Sequence, residues 1–180
     1  MRATSDAVRR AALVRLVALD VDGTLTDGRL FIGPGGEAMK AFSVRDGFGL
    51  TLLREAGVKL AVITARQSAI VEARAAELRF DAVRQAVKDK AAALREICER
   101  FGLAARHAAY VGDDWPDLRA MALAGLAASV ADAPAAVRER AHWVSRAAAG
   151  QGAVREFAEF VLQSQQRLDA ALARYAGDAP

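Results

Sequence analysis

Residues 16–27, LVALDVDGTLTD, limit the possible folds of this chain more than any other stretch. The apolar run Leu16 to Leu19 delivers Asp20 and Asp22 into a Gly23-Thr24 turn. Neighbouring carboxylates repel one another and resist burial, so the pair is misplaced inside a core. It suits the carboxyl edge of a buried strand, where open α/β sheets carry their ligand sites. A divalent cation is the usual partner of two acids held so close. An EF-hand calcium loop needs Gly at its sixth position and Glu at its twelfth. Counted from Asp20, those places hold Leu25 and Phe31, which excludes that loop. A solvated acidic turn is the plain alternative.

The rest of the chain repeats a strand-then-helix rhythm. Apolar runs predict strands at 14–20, 58–63, 108–112, 126–130 and 142–144, with a weaker one near 81–84. Helical spacing predicts helices at 47–56, 67–78, 88–101, 116–124 and 134–140, and a last one over 151–174. Strands joined by such helices form right-handed crossovers and a parallel sheet covered on both faces. The expected fold is a Rossmann-like three-layer α/β sandwich: one domain over 13–174, a loose or weakly helical arm over 1–12 and a tail over 175–180. Residues 28–43 break the rhythm, because two short strands around Gly33-Pro34-Gly35-Gly36 read as a β-hairpin flap. Leu30, Phe31 and Ile32 would be exposed on a lone flap, which calls for a covering partner.

Composition narrows the function. The net charge is only +3 and no long run of like charge occurs, so nucleic acid is not the expected partner. Arg9, Arg10, Arg15 and Asp20 break up any export signal, and no stretch reaches the about 18 apolar residues of a membrane span. A cytoplasmic protein without membrane contact is expected. Cys98, the one cysteine, reads as core. His107 and His142 stand apart from the acids, and Trp115 and Trp143 read chiefly as packing residues.

Three further strand ends carry polar groups. Thr64 closes KLAVIT and is followed by Ala65-Arg66; Lys90 opens the helix expected at 88–101; Asp113, Asp114 and Asp117 follow the strand AAYVG. Singly, these are a helix cap, a surface charge and first-turn acids. Together they place acids, a hydroxyl and a lysine at successive carboxyl edges, where one site could gather them.

In that order the residues resemble the four motifs of the haloacid dehalogenase superfamily: DVDGT, Thr64, Lys90 and GDDWPD. The resemblance implies that Asp20 attacks phosphorus and Asp22 protonates the leaving oxygen and later activates water. It implies Mg2+ on the Asp20 carboxylate, the Asp22 main-chain carbonyl and Asp113. Thr64 and Lys90 would hold the non-bridging oxygens, with Asp114 and Asp117 in support. Residues 21–63 and 65–89, between these motifs, are too few to hold a cap domain.

AFSVRDGFGL, ITAR and GAVRE resemble, more narrowly, the capless 3-deoxy-D-manno-octulosonate 8-phosphate phosphatases. That resemblance implies a homotetramer with shared active sites, a small anionic sugar phosphate as substrate, and a role in lipopolysaccharide precursor synthesis. It places Ser43, Val44, Arg45, Asp46, Gly47, Arg66 and Arg74 at the substrate, with Asp22 and Lys90. Ala65, the DGTLTD turn, Thr51 and Gln151 depart from that family's usual residues. Competing readings are a phosphatase for a nine-carbon keto sugar acid 9-phosphate, one for a macromolecular phosphate, and a noncatalytic tetramerising module.

Overall fold

The computed structural model describes residues 4–177. Helix α1 (Ser5–Ala12) is followed by β1 (Leu16–Leu19), the hairpin β2 (Phe31–Gly33) and β3 (Gly36–Met39), and α2 (Val44–Glu55). Then come β4 (Lys59–Ile63), α3 (Ala69–Glu77), β5 (Ala82–Arg84), α4 (Lys90–Arg100) and β6 (Ala108–Val111). The chain ends in α5 (Leu118–Leu123), β7 (Leu126–Ser129), α6 (Ala135–Arg138), β8 (Trp143–Val144), α7 (Ala153–Ser164) and α8 (Leu168–Ala176). A parallel six-stranded sheet runs β5-β4-β1-β6-β7-β8. No separate cap is present among the described residues.

All of β1 is buried because both of its faces are covered. Val17 and Leu19 pack with Leu50, Leu53, Phe157 and Val161 of α2 and α7. Leu16 and Ala18 pack with Leu94, Ile97 and Met121 of α4 and α5 on the other face. Burying each Leu or Val side chain contributes about 1.5–3 kcal/mol relative to exposure. Gly49 lets α2 and α7 approach closely, since a Cβ there would lie 3.0 Å from the Arg155 Cα. Strands β4, β1 and β6 are neighbours and in register, so their three carboxyl ends open on one spot.

Two expectations need revision. Residues 5–12, expected as a loose or weakly helical arm, form a regular helix with buried Ala7 and Ala11 that lies on α7. The single helix expected over 151–174 is two helices. Gln166 takes a left-handed conformation (φ 57°), and the Arg167 N–H donates to the Leu162 carbonyl at 2.8 Å, closing α7. The Gln165 side-chain amide meanwhile donates to the Val14 carbonyl at 2.8 Å, tying the break to the start of the sheet. Trp143 packs on Phe157 and Phe160, and Cys98 is buried, as their surroundings predict. Trp115 instead stands exposed beside the fourth motif.

Candidate active site

The turn after β1 places Asp20, buried, with its backbone N–H donating to the Val111 carbonyl of β6 at 3.0 Å. Lys90 opens α4 behind its cap Asp89, and its ammonium lies 3.0 Å from Asp20 Oδ1. The same ammonium donates to Asp117 Oδ1 at 2.6 Å. Asp117 is fully committed: Tyr110 Oη also donates to Oδ1 at 2.8 Å, and the Asp113 and Asp114 N–H groups donate to Oδ2. It therefore holds Lys90 and the β6 turn in place. Asp114 caps the short helical turn that follows, accepting from the Trp115 N–H at 2.8 Å.

Asp113 Oδ1 accepts from Thr24 Oγ1 at 3.0 Å, and its other oxygen fills the space a Cβ on Gly23 would need, 2.2 Å away. Gly23 also has φ +94°, so only glycine fits this turn comfortably. Carboxylate oxygens of Asp20, Asp113 and Asp117 lie within 4.8 Å of one another. Burial, then repulsion from Asp117, raises the Asp20 pKa to about 6 despite Lys90. Burial, with repulsion from Asp20 and Asp117, raises that of Asp113 to about 7. With Asp117 engaged, Asp20 and Asp113 are the side chains with oxygen to offer. Oxygen donors without His or Cys suit a hard cation such as Mg2+.

The third carboxylate of this cluster is Asp117. The Asp22 side chain turns to the hairpin, where Oδ1 accepts from the Lys40 ammonium. Arg66 lies 3.6 Å from Asp22 Oδ2 and from Glu37 Oε1, too far for strong hydrogen bonds. Thr64 is buried at the end of β4, its hydroxyl accepting from the Arg66 N–H at 3.4 Å. A cleft of about 350 Å³ is lined by Asp27, Ser43, Arg45, Gly150 and Gln151, among others. Arg45 is exposed there, and Val44 is 83% exposed.

Three of the substrate positions expected from the sequence also have partners within the chain. Asp46 is buried and accepts from the Gly152 and Arg155 N–H groups at 3.2 and 2.8 Å, so it caps α7 from outside. Gly47 is buried inside α2, and Arg74 fills the space a side chain would occupy, its Nη2 2.5 Å from such a Cβ. Arg74 lies over the Phe42 ring and bonds Glu77 at 2.8 Å. Lys40, Glu37 and Tyr110 escaped notice in the sequence. Tyr110 sits in an apolar run and reads as core, and a Glu and Lys beside a flap read as solvated charges. Only the three-residue spacing from Glu37 to Lys40 hinted at a pair.

The fold and the site define a phosphoryl-transfer hydrolase of the α/β class. The family model of haloacid dehalogenase-like hydrolases matches residues 37–125. The chain is 40% identical over 168 residues to the 3-deoxy-D-manno-octulosonate 8-phosphate phosphatase KdsC of Escherichia coli K12, covering 93% of this chain and 89% of that one. A crystal structure of the phosphatase of that name from Moraxella catarrhalis, with magnesium ion, phosphate ion and a KDO molecule, superposes with TM-score 0.93. It is 38% identical and covers 96% of this chain and 99% of its own. The cobalt-bound Haemophilus influenzae enzyme gives TM-score 0.88 at 37% identity, covering 89% of this chain and 94% of its own. The chain belongs to the 3-deoxy-D-manno-octulosonate 8-phosphate phosphatase family of haloacid dehalogenase-like hydrolases.

Proposed function

We propose that this protein hydrolyses 3-deoxy-D-manno-octulosonate 8-phosphate to the free sugar acid and phosphate, with Mg2+, in lipopolysaccharide precursor synthesis. The observation that carries the reading is the buried Asp20 facing Lys90 and Asp113 where three strands end, in a chain so like KdsC.

Asp20 is the nucleophile. Its carboxylate oxygen bonds to phosphorus while the ester oxygen leaves and takes a proton from Asp22. A water then attacks the aspartyl-phosphate and gives its proton back to Asp22, and phosphate departs. Lys90, fixed by Asp117, and Thr64 hold the non-bridging oxygens, where charge accumulates. The carboxylates of Asp20 and Asp113 and the main-chain carbonyl of Asp22 would hold Mg2+. When bound, the ion offsets the repulsion between an anionic nucleophile and an anionic phosphate. Ser43 and Arg45, at the rim of the cleft, and Arg66 receive the sugar acid. Arg45 is the natural partner of its carboxylate.

Val44 and Arg45 lie exposed on a single chain. Phe31, Ile32 and Met39 of the hairpin are exposed, Ile32 at 64%. A homotetramer that buries this surface and lends cover to each site accounts for both features. Among the described residues no helix is long and apolar enough to cross a membrane, and a cytoplasmic enzyme is proposed.

Phosphate release from a panel of keto sugar acid phosphates and hexose phosphates, with Mg2+ or with a chelator, tests the reading. The eight-carbon acid should be preferred, chelation should abolish turnover, and Asp20→Asn should lower it by about 10³-fold or more. Preference for a nine-carbon acid or a hexose phosphate would replace the substrate; no hydrolysis at all would remove the activity.

A further inference from the structure

The hairpin carries a half-buried chain of charged contacts that ends on Asp22. The Lys40 side chain is 1% exposed, deeper than any surface lysine of a flap should be. Its ammonium donates to Asp22 Oδ1 and lies 2.8 Å from Glu37 Oε1. Glu37 in turn accepts from the Ser68 hydroxyl, and Ser68 caps α3, its hydroxyl accepting from the Val71 N–H at 3.3 Å. One line of contacts thus runs from α3 through the hairpin to the loop that bears the acid. Burying an ammonium is unfavourable without such partners, so the arrangement is held by mutual need rather than by packing alone.

The two oxygens of Asp22 are not equivalent. Oδ1 is engaged by Lys40, whereas Oδ2 is shielded from solvent and makes no hydrogen bond, with Arg66 no nearer than 3.6 Å. We propose that Lys40, braced by Glu37, is a positioning residue that fixes Asp22 by Oδ1 and so leaves Oδ2 as the oxygen that hands the proton to the leaving group. As the bond from Asp20 to phosphorus forms, the ester electron pair goes to the departing oxygen, and the Oδ2 proton moves to that oxygen. The hairpin then orients the acid of its own chain. This inference rests on the phosphatase reading above.

The leaving group separates positioning from folding. The ratio kcat/KM covers the steps only as far as departure of the leaving group, so later hydrolysis of the aspartyl-phosphate does not enter it. A sugar phosphate leaves as an alkoxide that needs the Asp22 proton; p-nitrophenolate leaves without one. Lys40→Met should lower kcat/KM on the sugar phosphate by roughly 30-fold or more, a large part of the roughly 100-fold or more that general acid catalysis contributes. On p-nitrophenyl phosphate it should stay within about 3-fold of the unaltered protein, because the acid is not needed there. Asp22→Asn marks the largest split attainable. Glu37→Gln keeps the shape of these contacts and should move the ratio the same way by less, and it decides the matter if Lys40→Met does not fold. Equal losses on both substrates, or no loss, in the variant that folds would overturn the proposal while leaving the phosphatase reading intact. An unaltered protein inactive on both substrates would instead defeat that reading.

Discussion

Asp20 and Asp113 hold protons more tightly than free aspartates, at about 6 and about 7, because each is buried and faces like charge. The turn that brings them together depends on Gly23. Gly23→Ala would drive a Cβ to 2.2 Å from Asp113 Oδ2, at a backbone angle that alanine resists. A displaced Asp113 should lower kcat/KM by about 100-fold, the scale expected of an ångström-sized misplacement. Thermal unfolding of Gly23→Ala beside its steady-state kinetics checks this, with the larger effect expected in the kinetics. The positions of Asp20, Asp22, Thr64, Lys90 and Asp113 at strand ends and a helix start were legible in the sequence, because each follows or opens an element whose apolar spacing is plain. Lys40 and Tyr110 were not: Lys40 pairs with nearby Glu37 and Asp22 and Tyr110 with Asp117 just beyond its strand, but no apolar spacing marks a charged partner for either.

Among the elements, every strand and every crossover helix was legible, because apolar runs alternate with helical spacing through the sheet. The end of the chain was less so. Residues 151–174 keep helical spacing across the break at Gln166, and no glycine or proline marks it. The start of α2 lies at Val44 instead of 47, because Ser43 caps it through a bond from the Asp46 N–H at 3.3 Å. Two glycines in that first stretch hid the helix. Asp46 looked like a ligand for substrate in sequence, and nothing local says that α7 uses it. Asp46→Ala strips α7 of an acceptor for two N–H groups, one from Gly152 at 3.2 Å and one from Arg155 at 2.8 Å. The loss should be about 1–3 kcal/mol of stability. Urea denaturation measures it, and an unchanged midpoint would show that α7 is held by packing alone.

For the whole molecule, the acid cluster links metal binding to pH. The folded protein keeps protons on Asp20 and Asp113 that the unfolded chain, with ordinary aspartates near 3.8, has released. Stability of the metal-free protein from these two groups therefore falls as pH rises from about 4 to about 7. Magnesium competes with those protons and removes the repulsion, so its stabilising effect should grow over the same interval and be greatest above pH 7. At a concentration about 100 times its Kd the ion adds about 2.7 kcal/mol. For a chain of this size that is a rise in Tm of roughly 2–4 °C per kcal/mol. Melting curves with and without Mg2+ at pH 5.5 and pH 8 test the sign. An equal shift at both values would mean that the ion binds elsewhere.

On this mechanism Asp20 carries the phosphoryl group during turnover. Borohydride added to the enzyme while it hydrolyses substrate reduces an acyl phosphate to an alcohol, and mass spectrometry of the digested chain locates it. Homoserine is expected at position 20, and none in Asp20→Asn. Homoserine at another aspartate, or sustained hydrolysis by the Asp20→Asn protein, would contradict it.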